Sequence, residues 1–418
     1  MSKFRRFLSA AAGVATLALA GCSGEPSAST EAAANEILVG EYGSMTGSEA
    51  TFGQSTHNGI QLAVNEINAA GGINGKQIKL ISYDDQGKPQ EAGTAVTRLI
   101  NEDHVVAVLG EVSSGLSLAG GRVAQQYGVP MISPSSTNPA VTEIGDMVSR
   151  VCFLDSFQGD AVARFSVDDL HAKKAAILFA QDSPYSKGLA EFFEASFAKD
   201  GREVLKQAYT SGDADYASQL TSMREFNPDV IFVPGYYTEG GNIAIQARKL
   251  GIAAPLIGGD GWDSSQLAAI GKDAIEGAYY SNHYSHQEDR AAVKKFVEAY
   301  KTANKGENPD GLAALGYDAA GLLFDAMKRS PSLAGKDLAK AIAETKQYPG
   351  VTGDISMDAN RDAVKPAVIV KMQGGEPVYV KRIYPAGMEP AAPAAPVEPA
   401  APAAPAEGTA PAEKPATP

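Results

Sequence analysis

Val105-Val106-Ala107-Val108-Leu109, followed at once by Gly110-Glu111-Val112-Ser113-Ser114-Gly115, decides the fold. Five apolar residues are too few for a helix. With no polar residue among them, they read as a strand covered on both faces, as strands of parallel sheets are. Ile37-Leu38-Val39, Ile78-Lys79-Leu80-Ile81 and Val129-Pro130-Met131-Ile132 are strands of the same kind. Between the first two, Ile60, Ala63, Val64 and Ile67 recur at helical spacing and stop at Gly71-Gly72, and Ala92 to Ile100 form a second helix. The result is a β-α-β-α-β pattern, hence a parallel sheet flanked by helices.

The pattern restarts after Arg150. Ala175 to Phe179, Glu203 to Tyr209, Val230 to Val233 and Leu256 to Ile257 read as strands, with helices near 184–199, 216–225 and 239–250. Two α/β halves in one chain predict two lobes. Helices near 288–304, 312–328 and 335–344 follow, and Val368 to Lys371 with Val378 to Ile383 form a hairpin across Gln373-Gly374-Gly375-Glu376.

The ends carry an address. Lys3, Arg5 and Arg6 precede an apolar stretch from Phe7 to Leu19, too short to span a bilayer comfortably, so residues 1–21 read as a signal peptide. Leu19-Ala20-Gly21-Cys22 reads as a lipobox, which makes Cys22 a lipidation site and residues 22–35 a tether. At the other end Pro390, Pro393, Pro396, Pro399, Pro402 and Pro405 recur every third residue among Ala and Glu, so 386–418 reads as a disordered or polyproline tail.

The formal charge is −13, and loss of the leader's three cations makes it more negative. This argues against nucleic acid and anionic lipid as partners of the surface. Only two cysteines are present. With Cys22 acylated, Cys152 stands alone in an apolar run and is expected to be a small buried residue.

In sheets of this kind ligands sit beyond the carboxyl ends of the strands. Small polar residues follow four such ends: Gly110 to Gly115; Ser133-Pro134-Ser135-Ser136-Thr137; Pro234-Gly235-Tyr236-Tyr237; and Gly258-Gly259-Asp260-Gly261-Trp262. Hydroxyls and N–H groups at helix starts make an anion site, and a carboxylate on the facing lobe makes a cation site. Together they fit a zwitterion.

At these loops the sequence resembles the leucine/isoleucine/valine-binding protein family, the type I periplasmic binding proteins, from about Ile37 to Tyr384. The resemblance includes Ile67-Asn68-Ala69-Ala70-Gly71-Gly72-Ile73-Asn74-Gly75, Tyr83-Asp84-Asp85 and Tyr185-Ser186-Lys187-Gly188. It implies a two-lobed fold, each lobe a mainly parallel sheet flanked by helices, with three hinge crossings near 151–154, 281–284 and 363–366. Residues 36–153 with 283–363 would form lobe one, and 154–282 with 364–385 lobe two. The implied function is that of a monomeric, lipid-anchored, extracytoplasmic solute-binding protein, which closes around a small amino acid and delivers it to the permease of an ABC transporter.

By the same resemblance Ser114 and Thr137 bind the ligand carboxylate, and Thr137 with the Ser135 carbonyl meets the ammonium. Tyr236 reaches the carboxylate from lobe two, and Asp260 is the acidic ammonium partner. Phe52, Val112, Ser113, Tyr185 and Leu312 enclose the side chain. Asp260 is one methylene shorter than the glutamate of the leucine binder, with Trp262 beside it to refill the space. Gly87 and Ser113 stand where the branched-chain binder has a cysteine pair. Both departures argue against leucine, isoleucine or valine in particular, without removing an amino acid. A sensory module of the same fold, or a binder of another carboxylate or amide, stays open.

An enzyme is the rival class. Neither Ser113 nor Ser114 is framed as Gly-x-Ser-x-Gly, and no Gly-x-Gly-x-x-Gly opens a helix. Gly71 to Lys76 follows a helix and not a strand, and Gln77 stands where a phosphate loop requires Ser or Thr. No catalytic residue, cofactor or metal is expected. His57, His104, His171, His283 and His286 lack ligand spacing and read as solvated loop residues.

Overall fold

The computed structural model describes residues 35–388; Cys22, the leader and the tail beyond Met388 lie outside it. A five-stranded parallel sheet has the order β2-β1-β3-β4-β5. Its strands are β1 (Glu36–Gly43), β2 (Gln77–Asp84), β3 (Ala107–Leu109), β4 (Met131–Ser133) and β5 (Val148–Arg150). Every residue of β3 is buried, as its unbroken apolar run requires. Helices α1 (Ala50–Ala69), α2 (Pro89–Asn101) and α3 (Ser114–Tyr127) connect the first four strands.

The second sheet has seven strands in the order β14-β13-β10-β9-β8-β6-β7. They are β6 (Lys174–Ala180), β7 (Glu203–Tyr209), β8 (Val230–Val233), β9 (Leu256–Gly258), β10 (Tyr279–Asn282), β13 (Ala367–Gln373) and β14 (Glu376–Ile383). Its first five repeat the order of the first sheet; β13 and β14 add an antiparallel edge. Helices α4 (Asp155–Asp168), α5 (Pro184–Phe197), α6 (Ala217–Phe226), α7 (Tyr237–Lys249) and the short α8 (Ser265–Gly271) belong to this half. The chain passes between the halves after Arg150, after Asn282 and before Ala367. After the second passage come α9 (Ala291–Ala303), α10 (Gly311–Arg329) and α11 (Gly335–Ala343); β11 (Tyr348–Gly350) and β12 (Gly353–Ile355) form a small hairpin.

α10 packs on α1 more extensively than any other two elements meet. The two backbones approach so closely that a Cβ on Gly59 would lie 1.9 Å from the Ala313 carbonyl oxygen, and one on Gly316 2.5 Å from that of Thr56. Only glycine fits at such a crossing. It fixes α1, and with α1 the ring of Phe52, against the mouth of the first sheet.

Several elements differ from the sequence reading. α3 was not expected, because Gly115, Gly120 and Gly121 weaken its helical signal. Gly120 is there because Tyr42 packs where its side chain would be, and Gly121 because Ile144 does. α4, β5 and β10 were also missed. Strands of three or four residues carry too little pattern to separate them from loops.

Candidate functional site

The site is built from the loops at the carboxyl ends of β3, β4, β8 and β9. In each sheet the third strand in the repeated order lies beside the first, where helices depart to opposite faces and leave a crevice. In the first half, serines hold two such loops together. Ser133 Oγ and Ser136 Oγ donate to the Glu111 carbonyl at 2.8 and 3.0 Å, and Ser136 Oγ lies 2.8 Å from the Val112 carbonyl. The Glu111 side chain accepts from the Ser44 N–H and hydroxyl at 2.9 and 3.0 Å. Burial pushes its carboxyl well above the usual range, and the Asp85 charge adds to this.

That lattice brings Ser114, Ser135 and Thr137 together. Ser114 opens α3 and is 1 % exposed; its hydroxyl meets only the Asn138 N–H, at 3.4 Å. The Ser135 and Thr137 hydroxyls are buried with no hydrogen-bond partner. Buried hydroxyls are ordinarily paired, so these two ask for a missing group. Beside them lies a residue that sequence reading did not select. Asp155, the first residue of α4, donates its N–H to the Thr137 carbonyl at 2.9 Å, yet both its carboxylate oxygens are buried and unpartnered. Burial raises its pKa far above the usual range and the Asp260 charge raises it further, while the neighbouring Thr137 hydroxyl and the Arg150 charge pull it partly back.

Asp260 is organised differently. Its Oδ1 accepts from Tyr185 Oη at 2.8 Å and Gln158 Nε2 at 2.6 Å, and its Oδ2 lies 2.9 Å from His283 Nε2. Tyr185 in turn accepts from the Gly261 N–H at 3.1 Å. His283 is buried, not a solvated loop residue as its sequence context suggested; its ring stacks on Phe153, centroids 3.7 Å apart. Burial lowers its pKa, and the Asp260 carboxylate pulls in the opposite direction. His57 departs from the same expectation, since its Nδ1 pairs with Glu41 at 2.7 Å.

The apolar wall joins both halves. Phe52 sits edge-on to Tyr236 and Tyr237, centroids 5.4 and 5.0 Å away, while Tyr236 stacks on Tyr185 at 5.3 Å. Val112 and Leu312 are buried in the same cluster as Phe52. Ser113 Oγ turns away to donate to Glu49, whose carboxyl burial pushes up to about 7. Trp262 packs its indole between Gly258 of β9 and Gly240 of α7, inside the second half, so the neighbours that complete Asp260 are Gln158 and His283 instead.

The halves are shut on each other. Thr51 and Ser264 hydroxyls meet at 2.9 Å, Thr238 Oγ1 donates to the Ser48 carbonyl at 3.1 Å, and Asn138 Nδ2 donates to the Pro184 carbonyl at 2.8 Å. The passages between halves are tied together as well. Arg150 Nε reaches Asp362 at 2.6 Å and Lys365 Nζ reaches the Val151 carbonyl at 3.2 Å, both cations fully buried. Cys152 is buried here, its thiol pushed up to about 12 by burial, which makes it inert. Among the described residues no cluster of His, Cys, Asp and Glu is arranged to hold a metal, and no helix is long and apolar enough to cross a membrane.

Two sheets of repeated topology, closed over buried and unpartnered polar groups, define a two-lobed protein that encloses a small polar solute. A sequence profile of the periplasmic binding protein family matches residues 36–376, and the chain belongs to that family. It is 31 % identical over 347 residues to a Leu/Ile/Val-binding protein homologue of Brucella abortus, covering 82 % of this chain and 91 % of that one. The leucine-binding protein LivK of Thermotoga maritima superposes with a TM-score of 0.80 at 37 % identity, covering 84 % of this chain and 99 % of its own. The branched-chain amino-acid transporter substrate-binding protein LivJ of Streptococcus pneumoniae, in complex with isoleucine, superposes at 0.79 with 35 % identity, covering 84 % and 100 %.

Proposed function

We propose that this chain is the extracytoplasmic solute-binding component of an ABC importer, and that it traps a small amino acid, branched-chain or related, between two closing lobes. The observation that carries the reading is the convergence of unpartnered Ser135, Thr137 and Asp155 on the Asp260 cluster. The hydroxyls of Ser114 and Thr137, with the N-terminus of α3, suit a carboxylate. Asp155 and Asp260 suit an ammonium group, and Phe52, Tyr185, Tyr236, Val112 and Leu312 suit an apolar side chain. The relatives bearing names of amino-acid binders support the same ligand class.

In this reading residues 36–153 with 283–363 move against 154–282 with 364–385 about the three passages. The ligand binds the first lobe, and contacts made only when the cleft shuts shift the equilibrium towards the closed form that a permease recognises. Micromolar affinity corresponds to roughly 8 kcal/mol, within reach of a few charge-assisted hydrogen bonds and one desolvated side chain. Cys22 would anchor the monomer by a lipid, with mass spectrometry of the mature N-terminus as the check.

A thermal-shift screen of the protein amino acids and their deaminated analogues, followed by calorimetry, tests the function, because a ligand of the native state raises the melting temperature. Binding of an α-amino acid and none of its deaminated analogue is expected. Equal binding of the two would remove the amino-acid assignment.

A further inference from the structure

Beyond Phe52 and Trp262, on the side of the second passage, a groove of about 650 Å³ runs between the two halves. At its inner end lie two carboxylates from opposite halves. Asp263 accepts from the Gly311 N–H at 2.6 Å and from Tyr280 Oη at 3.0 Å, and Asp310 is the N-cap of α10, accepting from the Ala313 N–H at 2.8 Å. At its rim stand Glu307, exposed, on the loop before α10, and Glu376, exposed, at the start of β14. No Lys or Arg lines the groove, and among the described residues none of these four acids forms an ion pair. The Tyr284 hydroxyl supplies a separate observation: the residue lines the groove and is 2 % exposed, yet its oxygen is buried without a partner and feels the charges of both Asp310 and Asp263.

We propose that this groove is a second binding site, separate from the amino-acid cleft, for an elongated organic dication such as a linear diamine. One ammonium sits between Asp263, Asp310 and the free Tyr284 hydroxyl, and the other meets Glu307 and Glu376 at the rim. Tyr284 and Tyr300 also line the groove, and aromatic rings attract desolvated ammonium groups. A volume of this size is typical of small-molecule sites. Burial holds the Asp263 carboxyl up to about 7 and raises Asp310 as well, a cost that a bound cation removes. Because each half contributes one inner and one rim carboxylate, the dication binds best when the lobes are shut. It therefore strengthens ligand binding in the main cleft, and the ligand strengthens the dication's binding by the same factor.

Calorimetry of the full chain with 1,4-diaminobutane tests this, with n-butylamine and sodium chloride at matched ionic strength as controls. One-to-one binding is expected, weakened about tenfold for n-butylamine and about tenfold by joint Glu307→Gln and Glu376→Gln replacement, the loss of one charged contact. The rim variants touch neither the core nor the amino-acid cleft, so they keep the test valid should Asp310→Asn fail to fold. Equal heats for diamine and n-butylamine, undiminished binding in the rim variant, or competition between diamine and amino acid would each overturn the proposal. Amino-acid titration of the same samples reports on the main cleft separately. Its failure beside intact diamine binding removes the amino-acid assignment and leaves the groove.

Discussion

The two ends of the cleft handle buried polar groups in opposite ways. Around Asp260 the carboxylate is met by Tyr185, Gln158 and His283, so the group is held in place before any ligand arrives. Around Ser135, Thr137 and Asp155 the polar atoms are buried and unmatched. The first arrangement contributes to folding; the second costs stability that a ligand restores. A binding protein needs both. The satisfied end supplies direction without reorganisation, and the unsatisfied end makes closure conditional on cargo.

Mutation separates the two. Asp260→Asn should weaken amino-acid binding about a hundredfold and also lower the stability of the free protein by about 1–2 kcal/mol, since one substitution removes the ligand's charge partner and disturbs three internal hydrogen bonds. Asp155→Asn should weaken binding about tenfold while leaving the melting temperature of the free protein unchanged or higher. Calorimetry with thermal denaturation reads both quantities. A fall in stability with Asp155→Asn would show that its carboxylate has an internal partner after all and would erase the contrast.

The satisfied and unsatisfied ends were not equally legible in the sequence. Val105 to Leu109 and Val129 to Ile132, each with a polar loop behind it, were enough to predict the sheet and the loops that hold Ser113, Ser114, Ser135 and Thr137, because an apolar run followed by small hydroxyl residues is a local pattern; the family resemblance then singled out those four. Tyr236 and Asp260 came from position at strand ends and from the family resemblance, and Tyr185 from the resemblance alone. Asp155 and Gln158 gave no such signal. They follow the first passage on a helix with little amphipathic contrast, and Asp260, the partner of Gln158, lies far along the chain. His283 likewise appeared only as one of several scattered histidines, because burial beside Phe153 and Asp260 is a property of three separate chain segments.

A smaller effect tests the unsatisfied end alone. Thr137→Val keeps the shape and removes a hydroxyl that has no partner in the free protein. Affinity should fall about three- to tenfold, the worth of one neutral hydrogen bond, with no loss of folding stability. Stability loss in this variant would mean that the hydroxyl is internally bonded and does not serve the ligand.

The smallest effect concerns pH at the satisfied end, and its sign follows from burial. His283 has a pKa below the free value of 6.5, so it stays neutral in the folded protein where the unfolded chain has begun to take up a proton. Its contribution to stability is therefore fully present above pH 6.5, declines as the pH falls towards the lowered folded-state value, and is constant below it. Asp155 and Glu111 act in the opposite sense, because burial raises their pKa values and the folded state holds their protons more tightly. The total pH profile mixes these terms, so the informative quantity is the difference between the wild-type and His283→Gln curves. His283→Gln replaces a titrating partner of Asp260 with one that does not titrate. Chemical denaturation between pH 4.5 and 8, the range about the reference value in which the histidine titrates, should show wild type losing ground to the variant below about pH 6.5. A difference curve that rises with acid would mean the imidazole holds its proton in the fold and that Asp260 is held by an ion pair instead of a neutral hydrogen bond, and a flat curve would mean that folding does not shift the histidine at all.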